Sequence, residues 1–109
     1  MVTGLSLDGF NEKIIILAQF MAQDSQADNL ASIFKQMRDH SVSAADPGCL
    51  THRLSRNGND FVVFEEFKDA ASVAAHNEDP KHKAWLAQLK EGNFLVSLPQ
   101  IKAYEEIQE

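Results

Sequence analysis

The chain carries one cysteine in 109 residues, so it can form no internal disulfide, thiolate metal cluster or Cys-x-x-Cys redox pair. That scarcity points to the reducing cytoplasm as its compartment. A basic run is also missing: Lys and Arg number 10 against 16 Asp and Glu, for a net charge of −6. Phosphate backbones and anionic membranes repel such a surface, which speaks against nucleic acid and lipid as partners. The longest aliphatic run, Ile14-Ile15-Ile16-Leu17-Ala18, is far too short to cross a bilayer. Asp8 and Glu12 occupy the region where a signal peptide carries positive charge, so a soluble, non-exported protein is expected. The sequence contains no dinucleotide glycine fingerprint, no His-Glu-x-x-His motif, no internal repeat and no low-complexity tract. What remains is one small domain, short enough that a partner subunit would help bury its apolar surface.

Gly4, Gly9 and the polar residues between them mark 1–11 as a mobile arm, with a single domain over 12–109. Residues 13–22 read as a strand covered on both faces, because consecutive large aliphatics leave no polar side to meet water. Ser25-Gln26-Ala27-Asp28 resembles a capping box ahead of Leu30, Ile33, Phe34 and Met37, the spacing of one helix face. His40 and Ala44 extend that stripe, and Asp46-Pro47-Gly48 ends a helix expected over about 25–45. Strands at roughly 49–55 and 60–67 form a hairpin around Asn57-Gly58. Asp69 caps the next helix, and Asp79-Pro80 supplies a second cap and a first-turn proline that restarts or bends it. Gly92-Asn93 stops this helix. Phe94–Val96, Leu98 and Ile101–Ile107 then read as a last strand interrupted at Pro99.

The order is β-α-β-β-α-β, the α+β plan of a ferredoxin-like sheet. Helices cover one face of such a sheet, yet Phe61, Val62, Val63 and Phe64 are apolar on both sides of their strand. A second copy packed sheet against sheet would cover the other face, so a homodimer is expected, with the segment after Pro99 reaching across.

The most informative stretch is 48–85, a hairpin plus helix that holds three of the four histidines, His52, His76 and His82. It offers a small enclosed pocket with a titratable group in its wall. His76 sits at the edge of the buried stripe set by Val73, where it can face the pocket as a base or bond a backbone carbonyl. His40 lies on the apolar face of the first helix as an alternative base. Strand parity groups His52 with Leu50 and Leu54, facing either the pocket or a dimer seam, and His82 lies over Trp85 and Leu86 at the rim. Glu65 alternates with Val63 and Phe67 on an apolar face, where an unpaired charge costs several kcal/mol, on the order of a buried-ion penalty. It must be paired, protonated or at an open edge: it either orients a histidine or bridges to Arg53 or Lys68. Cys49 is expected to be buried and inert. Phe20, Phe34, Phe64, Phe67 and Trp85 are candidate aromatic walls, most of them expected to be ordinary core.

Pro47-Gly48-Cys49-Leu50, Phe64-Glu65, Phe67, Lys68-Asp69, His76 and Pro80, in this order and spacing, resemble the antibiotic biosynthesis monooxygenase domain family over most of 13–105. The resemblance implies a dimeric α/β barrel and a pocket between sheet and helices. It further implies oxygen insertion into an electron-rich aromatic or quinol-type substrate with molecular oxygen and no metal, flavin or haem. On that reading His76 takes the proton, Glu65 orients it, His40 is the reserve base, and His52, Phe34, Phe64, Phe67 and Trp85 contact substrate. Phe67 stands where many relatives have Trp, and His52 where Tyr is common. Trp85 falls near the axial histidine of the haem-degrading branch, and an indole cannot ligate iron. A second branch, the phospho-autoinducer isomerases, also resembles the chain through His40, eight residues before Gly48, and Phe64-Glu65-Glu66-Phe67-Lys68-Asp69. Phenylalanines stand there in place of that branch's tyrosines. An isomerase of a small phosphorylated metabolite, or a non-catalytic small-molecule binder, is therefore the alternative.

Overall fold

A computed structural model describes residues 6–107. Its elements are β1 (Ile14–Met21), α1 (Ala27–Ser41), β2 (Cys49–Asn57), β3 (Asp60–Phe67), α2 (Ala70–Glu78), α3 (Pro80–Glu91) and β4 (Gln100–Glu105). The strands form one antiparallel sheet in the order β2-β3-β1-β4, the ferredoxin-like arrangement. Residues 1–5 of the expected arm lie outside the described residues. Of the rest of that arm, Leu7 and Phe10 pack against the cluster of Ile14, Ile16, Cys49, Phe67 and Val73. The carboxylate of Glu105 accepts hydrogen bonds from the backbone N–H groups of Asn11 and Glu12.

The helices cover one face only. Ala18, Phe20, Phe61 and Val63 point from the sheet into a core completed by Leu30, Ile33, Phe34 and Met37 of α1 and Leu89 of α3. Strand β1 is therefore not covered on both sides, as its sequence suggests. Its residues alternate strictly, and Leu17 and Met21 stay 37% and 40% exposed on the far face. On that face Leu17 lies opposite Phe64 and Lys102, and Ile15 lies opposite Glu66 and Tyr104.

Local chemistry accounts for most boundaries. Gly58 takes a positive φ of 62° at the first of two central turn residues, Gly58-Asn59, one position later than the sequence suggests. Asp69 accepts a hydrogen bond from the Ser72 N–H and Asp79 one from the Lys81 N–H, so both caps form, with Pro80 in the first turn of α3. The expected capping box does not. Ser25 sits at φ 73°, the N-cap of α1 is Gln26, and no side chain caps it. That helix also stops at Ser41, and Ala44 is exposed in the turns that follow. Phe94–Val96 adds only an isolated bridge between Leu95 and Ala22.

Candidate functional site

Beneath α1 and α3 the inner face of the sheet carries a buried carboxyl group among apolar side chains. Glu65 projects from β3 between Ile16 of β1 and His52 of β2, its cross-strand neighbours. The hairpin would not present His52 there by simple alternation. A bulge between Cys49 and Thr51 inserts Leu50, which turns out to solvent at 47% exposure while Cys49 and His52 both face inward. The grouping of His52 with Leu50 is thus corrected by one extra residue.

His76 of α2 is buried and held from both ends. Its Nδ1–H donates to Oδ2 of Asp46 at 2.6 Å, and its Nε2 lies 3.4 Å from Oε2 of Glu65. The Phe67 ring meets the imidazole edge-on at 5.0 Å between centroids. His82 of α3 lies against the other side of His76 at 4.2 Å. Asp46 sits in the turn after α1, whose backbone is pinned by the Asp46 N–H to the Ser43 carbonyl and the Cys49 N–H to the Asp46 carbonyl. The orienting carboxylate is therefore Asp46, and Glu65 occupies the opposite ring nitrogen. Neither Arg53 nor Lys68 bridges to Glu65, which faces imidazoles instead.

A cavity of about 40 Å³ opens beside this cluster, lined by His52, Glu65 and His82 and by apolar side chains that include Phe20, Phe34 and Leu86. Three buried side-chain atoms among the described residues have no hydrogen-bond partner: His52 Nδ1, Glu65 Oε2 and His82 Nε2. All three belong to residues of this one cavity wall. Leaving such groups unpaired costs about 1–3 kcal/mol each, so their convergence in one wall singles out this cavity as the candidate site.

Burial sets the protonation of the wall. It pushes Glu65 from 4.5 up to about 7, with His76 pulling the other way and Asp46 adding to the rise. Burial lowers His52 to about 4 and His82 to about 3, and the nearby His76 adds to both shifts. At neutral pH the cavity thus presents two neutral imidazoles and one carboxyl group close to its midpoint. Cys49 is held inert, since burial, then Glu65 and Asp46, raise its thiol to about 12. No three His, Cys, Asp or Glu side chains among the described residues converge in a metal-binding arrangement.

Other expected positions fall elsewhere. Phe64 points to the far face of the sheet, because Phe61, Val63, Glu65 and Phe67 share the inner parity and Phe64 does not. Its substrate contact in this cavity is excluded by strand geometry. His40 Nε2 pairs with Oδ2 of Asp79, bracing α1 to the α2–α3 junction, and meets Trp85 edge-on at 5.5 Å. Trp85 packs on the main core outside the cavity wall, and Phe67 backs His76 without lining the cavity. Phe34 and His52 do line it. Sequence reasoning missed Asp46, read as a helix terminator, and left His82 at the rim. The only signals were an acid beside a Pro-Gly turn and a histidine on the same helix face as Leu86 and Leu89.

Solved structures share this architecture. Rv0793 from Mycobacterium tuberculosis superposes with a TM-score of 0.79 at 20% identity, covering 89% of this chain and 97% of its own. A candidate antibiotic biosynthesis monooxygenase from Caulobacter crescentus gives 0.81 at 22% identity, covering 91% and 93%. Another from Nitrosomonas europaea gives 0.80 at 14%, covering 90% and 94%. At such identities the likeness establishes the fold. No curated protein matches the chain in sequence. The sequence model of the antibiotic biosynthesis monooxygenases matches residues 13–88, from the start of β1 into α3 and across every residue of the buried cluster, and the chain belongs to that family.

Proposed function

We propose that this protein is a monooxygenase for a small aromatic or quinol-type substrate, with Glu65 as the proton acceptor and His76, fixed by Asp46, as its partner. The observation that carries the reading is the meeting of three buried polar atoms that make no hydrogen bond, on His52, Glu65 and His82, in one otherwise apolar wall. Glu65 takes the role expected of His76 because Glu65 lines the cavity, whereas His76 lies behind it with Nδ1 committed to Asp46. A carboxyl group that burial raises to about 7 can both take and give a proton near neutral pH, which suits proton transfer in both directions. His76 Nε2 can share the proton that Glu65 receives.

The chemistry needs little else from the chain. A ring CH₂ activated by adjacent carbonyl or phenol groups gives a proton to Glu65. The resulting enolate passes one electron to molecular oxygen, and the two radicals join as a peroxide. Elimination of water then leaves a carbonyl, so one oxygen atom enters the product and the other leaves as water. The apolar walls Phe20 and Phe34 exclude bulk water from the enolate. Neutral His52 and His82 supply hydrogen bonds to its oxygens. Two chains would pair through the open sheet face of Ile15, Leu17 and Phe64.

Oxygen uptake tests this directly. With anthrones and hydroquinones in turn, at least one should drive consumption above background, and Glu65→Gln should abolish it. No uptake with any of them, together with retained ligand affinity, would leave a binding module on the same fold.

A further inference from the structure

The 40 Å³ cavity is about the size of one water molecule, well below the roughly 300 Å³ at which ligand pockets begin. A substrate must therefore keep most of its bulk elsewhere. A second hollow, of about 530 Å³, lies on the outer side of α3 against residues 93–99. Leu86 lines both spaces. Along α3, His82 faces the inner cavity while its neighbour Lys83 faces the outer cleft, so this helix is the wall between them.

The cleft has a definite chemistry. Its floor and rim are Leu86, Leu89, Leu95 and Leu98, the last 89% exposed. Among the described residues, the charged side chains lining it are Lys83 and Lys90, in a chain whose net charge is −6. Lys83 holds Glu78 at 2.9 Å in a solvent-exposed pair, while Lys90 makes no ion pair among the described residues. Apolar walls with cations of one sign suit an apolar body bearing a negative charge.

We infer that this cleft is the docking site of the substrate, that it takes an apolar body carrying one anionic group, and that Leu86 is the partition past which the reactive end reaches Glu65. The apolar body rests on the leucines and the anion lies toward Lys83 and Lys90. Rotation of the Leu86 side chain joins the two spaces without disturbing the helix. The inference builds on the acid–base reading of Glu65 for its last step only.

Amide-resolved NMR titration of the ¹⁵N-labelled protein with anthraquinone-2-sulfonate, and with the uncharged anthraquinone-2-sulfonamide, separates the possibilities. The largest shifts should fall within residues 83–99, and the sulfonate should bind about fivefold more tightly, as expected of two partly exposed cations. Lys83→Gln with Lys90→Gln should erase that preference. Leu86→Ala should extend the shifts to His52 and Glu65, and Leu86→Trp should confine them to the cleft. Shifts concentrated on the far face of the sheet, or equal affinity for the two probes, would overturn the assignment. So would cleft shifts that follow protein concentration instead of probe, since a second copy would then occupy it. Binding is read here without turnover, so an inactive Glu65→Gln protein or an unproductive oxygen assay bears on the chemistry and leaves this result standing.

Discussion

Replacing Glu65 with glutamine should stabilise the protein at alkaline pH even as it removes the proposed base. Burial raises this carboxyl group from 4.5 to about 7, so between those values the folded chain keeps a proton that the unfolded chain has released. Stability from this group then falls as pH climbs above about 4.5, and the deficit is complete once pH is well past 7. The whole deficit is about 3 kcal/mol. Glutamine has nearly the same shape and no charge to bury, so the variant escapes it. Relative to the parent, it should gain about 2–3 kcal/mol more at about pH 8.5 than at about pH 4.5. Changes in packing are common to both conditions and cancel in that difference. His52 and His82 act with the opposite sign: their lowered values mean stability is lost as pH falls below 6.5 toward about 4 and about 3. Both residues are present in parent and variant, so they cancel as well. Urea unfolding followed by Trp85 fluorescence, at one fixed protein concentration, should show midpoints that separate by about 1 M or more at the higher pH alone. An equal separation at both pH values would mean that Glu65 ionises in the fold as readily as in water, and its role as a buried acid–base group would be refuted.

Asp46→Asn replaces the carboxylate that accepts from His76 Nδ1–H; oxygen uptake should fall at least tenfold and stability by about 1–3 kcal/mol. Unchanged uptake would free Asp46 of any positioning role. Leu17→Asp puts a charge in the middle of the open sheet face, and sedimentation equilibrium should move from about twice the 12.1 kDa chain mass to the single chain. An unaltered mass would place the subunit contact elsewhere. Gly48→Ala would drive a Cβ into the Ser72 side chain and set it 3.2 Å from the Ser72 Cα, so the melting temperature should drop by the equivalent of about 1–3 kcal/mol. An unmoved melt would show that the first turn of α2 yields freely.

How legible the site was in the sequence depended on how far each residue's placement is decided by its neighbours. The caps at Asp69 and Asp79-Pro80 and the paired hairpin strands follow from short-range chemistry, and they stand where expected. Glu65 on an apolar strand face was visible from parity alone, as was the need to pair it or neutralise it. The bulge at Leu50 was not, because inserting one residue leaves composition and hydropathy unchanged while reversing every side chain before it. Asp46 lies 30 positions from His76, and only the tertiary path of the turn after α1 brings them to 2.6 Å. The far face of β1 reads as buried because its residues are apolar, yet among the described residues of one chain Leu17 stays 37% exposed. Hydropathy records the need for cover without saying which molecule supplies it.

The break between α2 and α3 ties these parts together. In one continuous helix His82 would follow His76 by six positions, a turn of about 600°, which leaves the two side chains about 120° apart around the axis. Rings so separated do not lie face to face. Pro80 has no N–H to continue the ladder and its ring crowds the preceding turn, so the chain ends α2 at Glu78 and starts afresh with a new axis. The new direction brings the His82 ring to 4.2 Å from that of His76, so that His82 lines the cavity while His76 backs it. Asp79, freed from helical geometry, caps α3 with one carboxylate oxygen and takes His40 of α1 on the other. One Asp-Pro step therefore fixes the angle of the cavity's outer wall, anchors that wall to the helix across the cavity, and leaves Leu86 facing both the inner cavity and the outer cleft. A site built this way takes its precision from a rigid junction outside the cavity, because the angle of α3 is set at Asp79-Pro80 and not by the side chains that line the wall.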